Sequence, residues 1–209
     1  MFQPKLRRRW PIGPHYWAPF GQKAPRNWVA LQLSASEWYL QTLRELQLKV
    51  GRLDRLVGVE MALGACIASA SSAFDAALGG LIFAIERKHG VLEADCLPVH
   101  RYTWTGCQRV ARTVGYRLGV ESAVTAALEG RSGPTPKGWL AQLRRLRNRS
   151  THENTLNRAF GVGGPPYSPW IKVPGLGDVE PIAYLEKTLA LLRDLVEAML
   201  VEAEQLWPG

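Results

Sequence analysis

From Met61 to Ile85 the chain carries a single charge, Asp75, in a run of Ala, Gly, Ser, Leu, Ile and Phe. A stretch that long and that apolar has to leave water, either in a bilayer core that takes about 20 residues or inside the protein. Asp75 and the many small, weakly apolar residues make the bilayer the poorer choice, so a tightly packed buried helix is predicted and no membrane partner. Val59, Leu63, Cys66, Ala70, Ala73, Ala77, Leu81 and Ile85 keep a three-four spacing along it. Gly90, just past His89, suits the left-handed residue that closes a helix.

The same spacing marks the rest of the chain as helical. Ser34 and Glu37 read as a capping box opening a first long helix through Tyr39, Leu43, Leu46, Val50, Leu53 and Val57, with a boundary near Gly58. Trp104 to Leu128 reads as helical with a break near Gly115 or Gly119 and a close at Gly130. Thr135 and Pro136 are suited to N-cap and first helical position of the next helix, which runs to about Thr155 with Trp139, Leu140, Leu143 and Leu146 on its apolar side.

The segment from Phe160 to Gly177 is rich in Gly and Pro and reads as a loop. Its G-x-G-G lacks the strand before and the helix after that would make a phosphate cradle. Asp178 or Glu180 then caps a last helix opening at Pro181. Ile182, Leu185, Leu189, Leu192, Val196, Met199, Ala203 and Leu206 form a seam, with a second row through Tyr184, Leu191 and Leu195. Two apolar faces suit a central place in a bundle or a dimer interface. Strand alternation is confined to Trp28–Leu33. The predicted class is therefore all-α, a bundle of about four to five helices over residues 34–209.

Residues 1–33 read as an arm. Lys5, Arg7, Arg8, Arg9, Lys23 and Arg26 precede the first acid, Glu37, and alternate with Trp10, Tyr16, Trp17, Phe20 and Trp28 among five prolines. Proline at that spacing excludes a helix over residues 1–30. Such an arm either lies along its own domain or stacks on bases and tracks phosphates, with Arg7, Arg8 and Arg9 as the RNA-contacting residues. The net charge of +8 and pI near 9.7 favour an anionic partner. Three scattered cysteines and no cleavable leader point to the reducing cytoplasm.

No H-E-x-x-H, G-x-S-x-G, Walker loop or C-x-x-C pair occurs, so metalloprotease, serine hydrolase and nucleoside-triphosphatase chemistries lack their residues. Cys96, His100 and Cys107, with Asp95 or His89, match structural zinc spacing poorly, and no metal or cofactor is expected. The strongest local feature is the run Leu143–His152, where Arg144, Arg145, Arg147 and Arg149 occur without an acid. On a helix Asn148 and His152 are i and i+4 and face one way, flanked by Arg145 and Arg149. Arg147 is rotated by about 140° from His152 at 3.6 residues per turn. A long side chain, a distorted helix end or a second subunit would have to bring both onto one phosphate.

The run Arg147-Asn148-Arg149-Ser150-Thr151-His152 resembles the R-N-x-x-x-H form of the R-x4-6-H motif of the HEPN superfamily of small helical bundles. Its place near the end of the penultimate helix, the flanking Leu146 and the long closing helix are similar too. The resemblance implies metal-independent RNA cleavage by a homodimer whose two motifs meet across a cleft. Arg147, Asn148 and His152 would be catalytic, and Arg144, Arg145 and Arg149 would bind RNA. Toxin–antitoxin, stress or phage-defence settings follow, with a cognate antitoxin or defence-complex subunit as partner. Many toxin members carry a Tyr shortly after the His, whereas Glu153 and Asn154 follow here, so modification of that Tyr is not implied. The alternative is a non-catalytic HEPN-like accessory that binds nucleic acid or protein.

Overall fold

The computed structural model describes residues 24–48, 53–92, 96–97, 102–129, 138–152, 158–159, 170–173 and 176–207. Among these the chain is an all-α bundle of six helices with one small sheet. The helices are α1 Ala24–Leu48, α2 Leu53–Lys88, α3 Trp104–Thr113, α4 Glu121–Glu129, α5 Trp139–His152 and α6 Pro181–Leu206. The strands β1 Arg158–Ala159, β2 Trp170–Val173 and β3 Gly177–Val179 form an antiparallel sheet in the order β1-β2-β3. Two compact units divide the chain, and α1, α2, α4 and α6 each contribute one part to each.

In the first unit, residues 72–88 of α2 are buried nearly all round. Ala73, Phe74, Ala76, Ala77, Leu78, Leu81, Ile82 and Ile85 are fully inaccessible. A helix apolar on every side has to be surrounded by protein, and the predicted stripe is buried from Val59 to Ile85. The helix closes as expected. Gly90 sits at φ 63°, its N–H donates to Arg87 O and that of Val91 to Glu86 O, a Schellman cap. The break predicted at Gly115 has the same form, with φ 70°, Gly115 N–H donating to Arg112 O and Tyr116 N–H to Ala111 O.

The peptide after that break is held by Glu202 of α6. This buried carboxylate accepts from Gly119 N at 2.8 Å, Val120 N at 2.9 Å and the Tyr116 hydroxyl at 2.9 Å. Burial, and then the bond to Glu202, push the Tyr116 phenol up to about 12, so it stays a donor at neutral pH. Phe83 meets Trp207 edge to face at 4.9 Å in the same unit.

The second unit contains residues 32–48 of α1, 53–71 of α2, the end of α4, α5, the sheet and residues 181–193 of α6. Here α2 is buried on one side only, and Val57 and Met61 are exposed. Gly58 lies inside α2, where a Cβ would touch Leu46 of α1 at 3.4 Å, so it permits close packing and is no helix boundary. Glu180 rather than Asp178 caps α6, its carboxylate accepting from Ile182 N at 3.0 Å and Ala183 N at 2.6 Å.

Several expectations are corrected. The first helix starts at Ala24, ten residues before Ser34, because Pro25 lies in the first turn, where its missing N–H and fixed φ cost nothing. Residues 1–33 are therefore not one extended arm, Trp28–Leu33 is helix and not strand, and Ser34 is exposed in mid-helix. Glu37 caps nothing and pairs with Arg193. The helix ends at Leu48, so Leu53 and Val57 belong to α2, and Val50 lies outside the described residues. The N–H of Gln142 donates to Gly138 O, so α5 opens at Gly138, and Thr135 and Pro136 lie outside the described residues. The Gly/Pro loop contains β2, whose Ile171 and Val173 point to one buried face. The α6 seam from Leu185 to Leu206 is buried within this single chain, which gives it a central place and leaves the seam no part in arguing a dimer.

Replacing Glu202 by Ala orphans two backbone N–H groups and a phenol, and should cost on the order of 3 kcal/mol in urea unfolding. Glu202→Gln, which keeps one acceptor oxygen, should lose clearly less. Equal losses would show that the single acceptor oxygen kept by the isosteric Gln recovers nothing.

Candidate functional site

The motif helix α5 is held by its apolar side. Leu140, Leu143 and Leu146 are at most 1% exposed, and Gln142 is buried beside them. Its start is fixed by Gly138, whose N–H donates to Leu128 O at 3.1 Å in the last turn of α4. A Cβ on Gly138 would lie 2.2 Å from the carbonyl oxygen of Ala127, so no other residue fits there without moving backbone. Gly64 of α2 lies against the far end of α5, where a Cβ would stand 3.8 Å from that of Ser150. Neither glycine was legible as a site-positioning residue in the sequence, although a glycine immediately before a helical run is the signal for Gly138.

At 100° per residue, Arg147 falls on the line of Leu140, one heptad before it, and Ser150 on the line of Leu143. The Ser150 hydroxyl turns back to donate to Arg147 O at 2.8 Å. Arg147 is half-buried and already engaged. Arg145 and Asn148 are exposed on the opposite side, Arg149 is half-buried, and His152 occupies the last helical position on that side's register. The structure thus brings Arg145, Asn148, Arg149 and position 152 onto one face and leaves Arg147 off it. Arg144 is half-buried between the two, with interactions of its own.

Arg7, Arg8 and Arg9 lie outside the described residues, as do Asp95, His100, Glu153 and Asn154. Arg26, read from sequence as an arm cation, is committed elsewhere. Its guanidinium makes paired bonds to Glu204 (2.7 and 3.0 Å) and to Glu197 (3.0 and 3.1 Å) in α6. Those two partners, Glu204 foremost, raise its pKa further above the ordinary range.

Among the described residues no three His, Cys, Asp or Glu side chains are grouped to hold a metal. Cys66 and Cys107 are inaccessible thiols whose burial pushes them up to about 12, and the Cys66 thiol donates to Ser36 O at 3.3 Å. The long helix α2 is apolar enough to cross a membrane, but most of it is already buried in protein. No protein-family model matches the sequence, and no curated protein or solved structure is significantly similar to it. The fold and site together define a helical bundle presenting a basic, histidine-ended helix.

Gly138→Ala should destabilise the fold by about 2 kcal/mol, the scale of forced overpacking, read as a lower urea midpoint with an unchanged m-value. A wild-type midpoint would show that the α4–α5 junction yields. A thiol reagent at pH 8 should modify Cys96 alone in the folded protein and all three cysteines after denaturation, because burial withholds the thiolate at the other two. Rapid modification of Cys66 or Cys107 in the fold would contradict their burial.

Proposed function

We propose that this chain is a cytoplasmic, metal-independent endoribonuclease of the HEPN type that works as a homodimer. The observation that carries the reading is that Arg147, Asn148 and His152 all fall in the last turns of one helix, α5, which precedes the closing helix of an all-α bundle. In the reaction the 2′-hydroxyl of RNA attacks the adjacent phosphorus while a base takes its proton. The P–O5′ bond breaks, the leaving oxygen takes a proton, and a 2′,3′-cyclic phosphate and a 5′-hydroxyl result. His152 is the proton carrier, imidazole being the side chain suited to general acid-base work. Arg147 meets the charge that grows on the phosphorane, and Asn148 orients the imidazole or the phosphate. Because Arg147 and His152 lie on different sides of α5, the reading needs Arg147 of one copy to serve His152 of another. Arg145 and Arg149 attract phosphate generally.

The second reading is a nucleic-acid- or protein-binding accessory that cuts nothing. The half-buried, already engaged Arg147 favours it, since a side chain held by its own fold is less available to a phosphorane.

Incubation with mixed RNA in EDTA separates the two. Cleavage should persist in EDTA, and His152→Ala should lower turnover by about a hundredfold or more with RNA binding nearly unchanged. Arg149→Ala should mainly weaken binding. Identical kinetic profiles for the two variants, both only weakening binding, would replace the enzyme by the binding module. Removing residues 1–23 should weaken RNA binding and flatten its salt dependence. Unfolding of the truncated protein would make that segment a structural strap.

A further inference from the structure

Two helix C-termini meet in the first unit, and both are loaded with positive charge. The His89 ring, just past α2, stands 6.0 Å from the ring of Tyr116, just past α3. Their Schellman caps turn the chain sharply at Gly90 and Gly115, so the last turns of both helices end around this contact. Those turns carry Arg87 and Lys88 on α2 and Arg112 on α3, Arg109 lies one turn earlier on α3, and Arg117 follows Tyr116. All five are exposed, and no acid occurs in residues 87–89 or 109–117. Among the described residues none of the five pairs with a carboxylate; Arg87 instead lies 5.2 Å over the ring of Phe83.

Cations at helix ends balance the macrodipole, an effect that fades within the last turn. That accounts for one or two of the five. Arg109 lies a turn further back and Arg117 beyond the helix, so the group exceeds what the dipole needs. Both helix ends point their partial negative charge at it, which offsets part of the cations' mutual repulsion but leaves the five with a surplus of positive charge that an anion can neutralise. The nearby acids Glu86 and Glu202 are buried and bonded inward, to Leu97 N and to Gly119 and Val120 N, while the exposed Glu121 accepts from the Gln108 amide on α3 and pairs with none of the five.

We propose that this surface, centred on the His89–Tyr116 contact, is a docking site for the phosphate backbone of RNA, separate in sequence and in unit from the motif helix. Charge complementarity selects a polyanion, since five cations spread over two helix ends and a following turn match a row of phosphates and not a single ion. The exposed His89 ring, beside the half-buried Tyr116 ring, offers a stacking face that a lipid headgroup would not use. That the polyanion is RNA rests on the reading of the motif helix.

The test uses the full chain and a labelled single-stranded 2′-O-methyl RNA oligonucleotide, which lacks the attacking hydroxyl and so reports binding alone. The triple variant Lys88→Glu, Arg112→Glu, Arg117→Glu should bind at least about tenfold more weakly. The slope of log affinity against log salt should fall by about 2, three contacts at about 0.7 each on a single strand. Lys88→Gln, Arg112→Gln, Arg117→Gln provides the same slope measurement if the reversed variant fails to fold, and Arg112→Lys, Arg117→Lys should bind like the unmodified protein. Unchanged affinity and slope in the triple variants, absence of oligonucleotide binding by the unmodified protein, or binding only to phosphatidylserine vesicles would overturn the proposal. Patch-dependent binding without EDTA-resistant cleavage of ordinary RNA would uphold this surface while the ribonuclease reading falls. Cleavage with patch-independent binding would do the reverse.

Discussion

The burial of α2 from Ala73 to Glu86 sets the terms for the first unit. With apolar atoms on every side, the segment cannot be stable unless other elements enclose it, and its Ala and Gly residues let them come near. The polar groups carried into that core must then be satisfied from nearby backbone. Glu86, 2% exposed on α2, accepts from Leu97 N at 2.7 Å, and Glu202 on α6 holds the peptide at Gly119 and Val120. Two carboxylates thus hold Leu97 after α2 and the peptide at Gly119 and Val120 after α3, since a buried N–H without an acceptor costs more than the bond itself yields.

Ion pairs follow from this frame and do not create it. Arg26 uses its whole guanidinium fork on Glu197 and Glu204, which directs the first turn of α1 along α6 within the first unit. In the second unit Arg44 pairs with Glu186 and Arg193 with Glu37, all four about half exposed. Exposed pairs contribute little stability, so their role is to select which helix faces meet.

The motif helix shows how packing sorts a basic run by function. Leu140, Leu143 and Leu146 turn one side of α5 inward, and the 100° step carries Arg147 toward that side and Arg145 and Asn148 away from it. A single copy therefore offers a cationic face next to position 152 but keeps Arg147 apart from it. Transition-state chemistry on one phosphate needs both groups together. For phosphate attraction alone, one face is enough.

The three-four spacing of apolar residues determined that α2 is buried from Val59 to Ile85, that α6 has an inward seam, and that α5 faces its leucines inward, because period alone decides which side chains share a helix face. Gly90 and Gly115 were legible as helix ends because only a residue without Cβ enters the left-handed turn cheaply. The angle between Arg147 and His152 was likewise a property of the sequence. Where α1 begins was not, because Pro25 breaks a helix or opens one according to what precedes it, and burial of Pro25 and Val29 decided the matter. Nor was β2, whose four residues show their alternation only once β1 and β3 supply hydrogen-bond partners. Whether a charge is free or committed also needed the tertiary structure. Arg26 and Arg112 look alike in the sequence, and only the fold puts two carboxylates beside the first and open solvent beside the second.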